Sequence, residues 1–185
     1  MGVTGLLAAG LCTGAVATDA RAQSIDRLEV VVSAEIPTRC GFADSARASD
    51  LTGDLDSSHA ASVRLSLDCN APYAITARSV NGRLEHVDQA DDGSGYAFDK
   101  PYGLTLSLET DRGRVQGERC ASSDLVAGGA GCALSSATGL TSGDGVSIGR
   151  DAVVTIDWSD QDDRGRRLAA GQYSDTIILE IGARA

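Results

Sequence analysis

Lysine is almost missing from this 185-residue chain, with Lys100 as the single example, so amine chemistry has only one candidate residue. Histidine is nearly as scarce: His59 and His86 stand apart and read as polar loop or strand-edge residues. Aromatic residues make up 4% of the chain, with only two Phe, so a core has to rest on Val, Leu, Ile and Ala. No C-x-x-C pair occurs and both histidines lie far from the cysteines, which argues against a zinc site. No Gly-rich segment has the form of a phosphate-cradling loop. The net charge of −10 disfavours nucleic acid and anionic membrane surfaces as partners and serves mainly solubility.

Sustained helical periodicity is also absent. Short alternating runs are instead separated by Gly, Asp, Ser and Asn, the pattern of an all-β domain. "LEVVVSAEI" sets Leu28, Val30, Val32, Ala34 and Ile36 against Glu29, Val31, Ser33 and Glu35. "SVRLSLDC" places Val63, Leu65, Leu67 and Cys69 on one face, and "YAITARSV" follows after the turn at Asn70–Pro72. "YGLTLSLE" turns Tyr102, Leu104, Leu106 and Leu108 inward, and "AVVTIDW" does the same with Val154, Ile156 and Trp158. In the closing run, Tyr173, Ile177, Leu179, Ile181 and Ala183 share a face opposite Ser174, Thr176, Glu180 and Arg184, with Ile178 as the exception. These are six strands, with weaker ones near Arg83–Val87. Between Glu109 and Arg150 the alternation lapses into a long Gly- and Ser-rich loop. Six or seven strands with one inward face each predict two packed sheets, an immunoglobulin-like β-sandwich at this size.

Residues 1–22 read as a secretory leader. "GLLAAGLCTGAVA" is a modest apolar stretch, too short and Gly-interrupted to span a bilayer, and "ARA" before Gln23 has the small–x–small form of a cleavage site. Removing Cys12 with the leader leaves Cys40, Cys69, Cys120 and Cys132, an even set expected to form disulfides in an oxidising compartment. Of the three possible pairings the sequential one is favoured. Cys40–Cys69 is then worth roughly 3–4 kcal/mol and Cys120–Cys132 about 3 kcal/mol by chain entropy.

Motifs that could carry catalysis weaken on inspection. "GVSIG" (145–149) matches the G-x-S-x-G nucleophile elbow, but no histidine follows Ser147 and the strand-to-helix framework is missing. "DQADDGSG" (88–95) and "SDQDDRGR" (159–166) bunch carboxylates without the spacing of a calcium loop, and read as solvated turns. The sequence therefore predicts no catalytic, cofactor or metal residues and no small-molecule substrate.

The order of leader, alternating N-terminal strand, Cys40, "VRLSLDCNAPYAIT" with Cys69, and "LAAGQYSDTIILEI" resembles the spore coat protein U domain family. That family is shared by secreted pilin-like subunits of archaic chaperone–usher pili. The segment Ala170–Thr176 is similar to its terminal "aGtYsDt" pattern. The resemblance covers most of the chain after the leader and is weakest in its middle third, and the Cys120–Cys132 loop is not part of it. It implies residues 23–37 as a donor strand and 38–185 as a sandwich lacking its last strand. Leu28, Val30, Val32, Ala34 and Ile36 would be knobs inserted into another molecule, and Ile177, Leu179 and Ile181 would line part of the acceptor groove. The implied partners are homologous pilus subunits, a periplasmic chaperone and an outer-membrane usher, in a fimbrium on the cell surface that supports adhesion or biofilm formation. The alternative expectation is a monomeric secreted binding module in which Leu28–Ile36 completes its own sandwich.

Overall fold

The computed structural model describes residues 28–43, 53–127, 129, 131–160 and 165–184. The predicted leader and its cleavage site lie outside these residues. The chain divides into two units, Met1–Glu35 and Ile36–Ala185. In the first, residues 28–35 form no strand, and Leu28, Val30, Val31 and Val32 are exposed. The expected strand Leu28–Ile36 is therefore not a strand of this structure. A period-2 pattern states which side chains would share a face, but a strand exists only where a neighbour takes its backbone hydrogen bonds.

The second unit is an all-β sandwich. The larger sheet has the order β1 (Cys40–Phe42), β2 (His59–Cys69), β10 (Ser147–Trp158), β6 (Gly103–Thr110), β7 (Gly113–Gln116), with β8 (Cys120–Ala121) also on β6. Facing it is the sheet β12 (Ile177–Ala183), β3 (Tyr73–Ser79), β9 (Leu140–Thr141). A small third sheet joins β11 (Tyr173–Ser174), β4 (Leu84–His86) and β5 (Asp99–Lys100). Every strand pair is antiparallel.

The alternating runs fill the core as the period-2 pattern requires. Leu67 and Cys69 of β2, Leu104, Leu106 and Leu108 of β6, and Ala152 and Val154 of β10 come from one sheet. Tyr73, Ile75 and Ala77 of β3 and Leu140 of β9 meet them from the other. Both disulfides follow the sequential pairing. Cys40–Cys69 ties β1 to its partner β2 across directly opposed positions, with Cα atoms 4.0 Å apart. Cys120–Cys132 closes the shorter loop. Such bridges fit an oxidising, extracytoplasmic environment. Among the described residues no helix is long and apolar enough to cross a membrane.

The segment 109–150 departs from the expectation of a plain loop. It carries β7, β8, β9, the start of β10 and two single-turn 3-10 helices, Ser122–Leu125 and Ala133–Ser135. Leu125 and Leu134, one from each helix, are fully buried, and both helices lie against β3. Short turns of 3-10 helix leave too few apolar residues for any periodicity to register, so the sequence pattern misses them. The Cys120–Cys132 bridge closes a loop that contains the first turn and ends immediately before the second, which ties the two plugs together. Leu125→Ala and Leu134→Ala should each cost about 2–5 kcal/mol, as for buried leucines, where an outward-facing loop residue would cost almost nothing. Urea unfolding of the oxidised protein reads the difference.

Candidate functional site

The segment 170–176, "AGQYSDT", is where the last stretch of chain is distributed between sheets. The sequence pattern treats Tyr173–Ala183 as one continuous strand; the structure divides it. Tyr173 and Ser174 pair with His86 and Glu85 of β4, whereas Ile177–Ala183 pairs with β3. Asp175 stands at the break. Its carboxylate accepts hydrogen bonds from the Ser79 hydroxyl (2.5 Å), the Tyr102 hydroxyl (2.7 Å), the Asn81 backbone N–H (3.0 Å) and the Thr176 backbone N–H (2.7 Å). Charge-assisted bonds of this kind are about twice as strong as neutral ones, and their number explains an acid on an inward-facing position.

The residues before it pack around His86. The His86 Nδ1 accepts the backbone N–H groups of Asp88 and Gln89, both at 3.1 Å, so its Nε2 carries the proton and donates to the Ala170 carbonyl at 3.2 Å. Gly171 lies against that ring: a Cβ there would come within 2.0 Å of Nε2. The Tyr173 hydroxyl donates to the carbonyls of Ala169 (2.8 Å) and Ala97 (3.0 Å). His86 is thus a buried structural residue rather than a polar strand-edge one.

Fixing Asp175 sets the register of β12 on β3, which opposes Ile177 to Ser79, Leu179 to Ala77, Ile181 to Ile75 and Ala183 to Tyr73. Directly opposed residues of an antiparallel pair point to the same side of the sheet. On the β3 side of these pairs every residue is buried, with at most 3% of its surface exposed. On the β12 side Ile177, Leu179 and Ile181 are only partly buried against the same core, and Ala183 is exposed. One face of one sheet is therefore covered at β3 and uncovered at β12, because β12 is the edge.

The backbone carries the same asymmetry. Val80 donates to the Thr176 carbonyl and Arg184 to the Pro72 carbonyl, so the even-numbered residues of β12 exchange hydrogen bonds with β3. Antiparallel geometry then turns the N–H and C=O groups of Ile177, Leu179, Ile181 and Ala183 toward the opposite side. Among the described residues, no strand pairs with that side. The edge of the other sheet, β1, lies against β12, and its Cys40 and Phe42 also stand partly buried on the core. The result is an apolar seam between two sheet edges, backed by a row of backbone donors and acceptors. Phe42 belongs to this seam, and the sequence pattern does not single it out because β1 is only three residues long.

The other sequence candidates lie elsewhere and do not converge. Ser147 is buried, donating to the Glu109 carbonyl at 2.6 Å and hydrogen-bonded to the Tyr73 hydroxyl at 2.8 Å. Asp91 accepts the Gly93 backbone N–H and faces Arg166, which together hold its carboxyl below the usual range. His59 rests beside Trp158, with ring centroids 5.3 Å apart. Lys100 is buried on β5. Part of the second acidic turn, residues 161–164, lies outside the described residues. Among the described residues no three His, Cys, Asp or Glu side chains are placed to hold a metal ion.

No protein-family model matches this sequence, and no curated protein matches it either.

The Asp175 junction makes two expectations. Asp175→Ala leaves the buried Ser79 and Tyr102 hydroxyls without their acceptor and should lower stability by about 3 kcal/mol, measured by chemical denaturation. Burial, aided by the neighbouring Asp175 charge, raises the Tyr102 phenol above its ordinary pKa of about 10. The folded state therefore favours the protonated phenol: its contribution is fully present below pH ~10 and is lost as pH rises toward the folded value. Tyr102→Phe should lose about 1–2 kcal/mol at neutral pH and show a shallower alkaline decline than the wild type in unfolding titrations from pH 7 to 11.

Proposed function

We propose that this chain is a secreted structural subunit of a surface fibre, in which residues 28–36 of one copy add as a strand to the β12 edge of the next. The observation that carries this reading is the mismatch along the β12–β3 pair: four opposed positions are buried on β3, whereas on β12 three are only partly buried and one is exposed. Strand addition supplies what such an edge lacks, with backbone hydrogen bonds giving affinity and alternate side chains filling the seam. Leu28, Val30, Val32, Ala34 and Ile36 have the matching period, about 6.6 Å between successive same-face residues. Their large members are exposed, Val32 to 87%. Exposed apolar side chains and an open apolar edge in one molecule are an aggregation hazard unless each is the other's partner.

A head-to-tail contact of this kind does not close on itself and generates filaments. The incomplete immunoglobulin-like sandwich, the resemblance to the spore coat protein U domain family, and delivery through a periplasmic chaperone and an outer-membrane usher all belong to the same reading. So does a role of the fibre in adhesion or biofilm formation. The two disulfides suit the periplasmic route.

Val32→Asp tests it. A charge placed at the centre of the inserting face is buried only in the assembled fibre, so the variant should remain a folded single subunit while the wild type forms polymers. Size measurement of the periplasmic proteins, with and without a co-expressed candidate chaperone, separates the cases. Fibres of normal length from Val32→Asp would sink the reading, as would a wild-type chain that stays monomeric at every concentration without any helper.

A further inference from the structure

We propose that Asn70 is a clamp that keeps the N-terminal segment off its own molecule's β12 edge and so reserves it for a second copy. The inference rests on the fibre-subunit reading and adds the device that selects between self-closure and assembly.

That selection needs a device. A segment tethered to its own domain through a few residues sees its own edge at an effective concentration in the millimolar range. Left unconstrained, it outcompetes any neighbour present at micromolar concentration, and the molecule closes on itself.

The tether is residues 37–39, and three groups hold it. Arg39 stands opposite Asn70, one step beyond the Cys40–Cys69 pair. The Asn70 backbone N–H donates to the Arg39 carbonyl at 3.1 Å. The Arg39 backbone N–H donates in turn to the Asn70 side-chain Oδ1 at 2.8 Å, so the side-chain amide takes the place of a ladder carbonyl. The same amide donates from Nδ2 to the Pro37 carbonyl at 2.9 Å. The Arg39 guanidinium is held by Asp68, with bonds of 3.0 and 3.3 Å. The β1 register is thereby carried past the disulfide to Pro37, and Ile36, next in the chain, is 81% exposed.

The position of the clamp decides which way the segment could return. Asn70 opens the β2–β3 turn, and Pro72 in that turn accepts the backbone N–H of Arg184 at 2.8 Å, just past the C-terminal end of β12. A segment anchored at Pro37 would have to reverse at this pole and run parallel to β12. Reversal within residues 36–39 breaks the Asn70 bonds, and parallel pairing is slightly weaker per residue than antiparallel. A second copy's segment meets neither restriction, since it keeps its own clamp intact and is free to enter antiparallel.

The test uses the full mature chain and a fluorescent peptide of residues 26–37, titrated by anisotropy against the monomer fraction from gel filtration. With the clamp intact the edge is open and the peptide binds. Asn70→Ala removes both side-chain bonds; self-insertion should then weaken apparent peptide affinity about tenfold to thirtyfold and reduce fibre yield in parallel. Asn70→Asp, which keeps the acceptor for Arg39 and loses the donor to Pro37, should fall between, and carries the same comparison if the alanine variant does not fold. In a Val32→Asp background the tethered segment cannot insert, so adding Asn70→Ala should leave peptide affinity unchanged. If Asn70→Ala weakens binding equally in both backgrounds, Asn70 merely supports the fold and the clamp is refuted. Unchanged affinity and fibre yield in the wild-type background refute it as well. A peptide that binds none of the variants removes the acceptor edge itself, and with it both proposals.

Discussion

A half-buried carboxylate at Asp175 fixes where the last strand begins. Four donors converge on it, two from the side chains of Ser79 on β3 and Tyr102 just before β6, and two from the backbone. Because those donors cannot move independently, the chain must pass from the small sheet of β4 and β11 to the sheet of β3 at that residue. The register of β12 follows, and with it the choice of which side chains face the core. A shift by one residue would turn Ile177, Leu179 and Ile181 outward and place Ile178 and Glu180 inward. The apolar seam therefore depends on a polar junction outside it.

Beyond that junction, the domain spends its apolar residues unevenly. The centre of the sandwich is sealed: Leu67, Ile75, Leu104, Leu106 and Leu108 are all fully buried. The 3-10 turns stapled by Cys120–Cys132 add Leu125 and Leu134 as plugs, which compensates for the scarcity of large aromatic residues. At the β1–β12 seam no comparable plug is present among the described residues. Asn70 bonds to Pro37 and Arg39, and in the sequence these residues directly follow the apolar run 28–36. The proposed fibre subunit would need both properties together, a rigid body that tolerates an open edge and an extension that does not close it.

Much of the architecture was legible beforehand, and the reasons can be named. The inward residues of β2, β6 and β10 follow directly from alternation, since one face of each strand meets the opposing sheet. The sequential pairing of the cysteines, favoured among three possibilities, is the one the structure contains. Asp175 could have been found as an acid on an otherwise apolar face, a signal that the strand breaks or that donors await. Leu125 and Leu134 could not, because a single helical turn has no period. Nor could the side-chain bonds of Asn70 to Arg39 and Pro37, which lie more than thirty positions away and are brought near by the β1–β2 pairing and its disulfide.

The fate of residues 28–36 marks the division. Sequence alone determined that these residues have a strand's facial pattern, because side-chain alternation is a property of the local backbone. It also determined that the domain is built from short strands with one inward face each. Whether a patterned segment becomes a strand is decided elsewhere, since the hydrogen bonds that define it belong to a second stretch of chain. The tertiary structure alone shows that β3 has a neighbouring strand on both edges and β12 on one, because that depends on the order of strands in space.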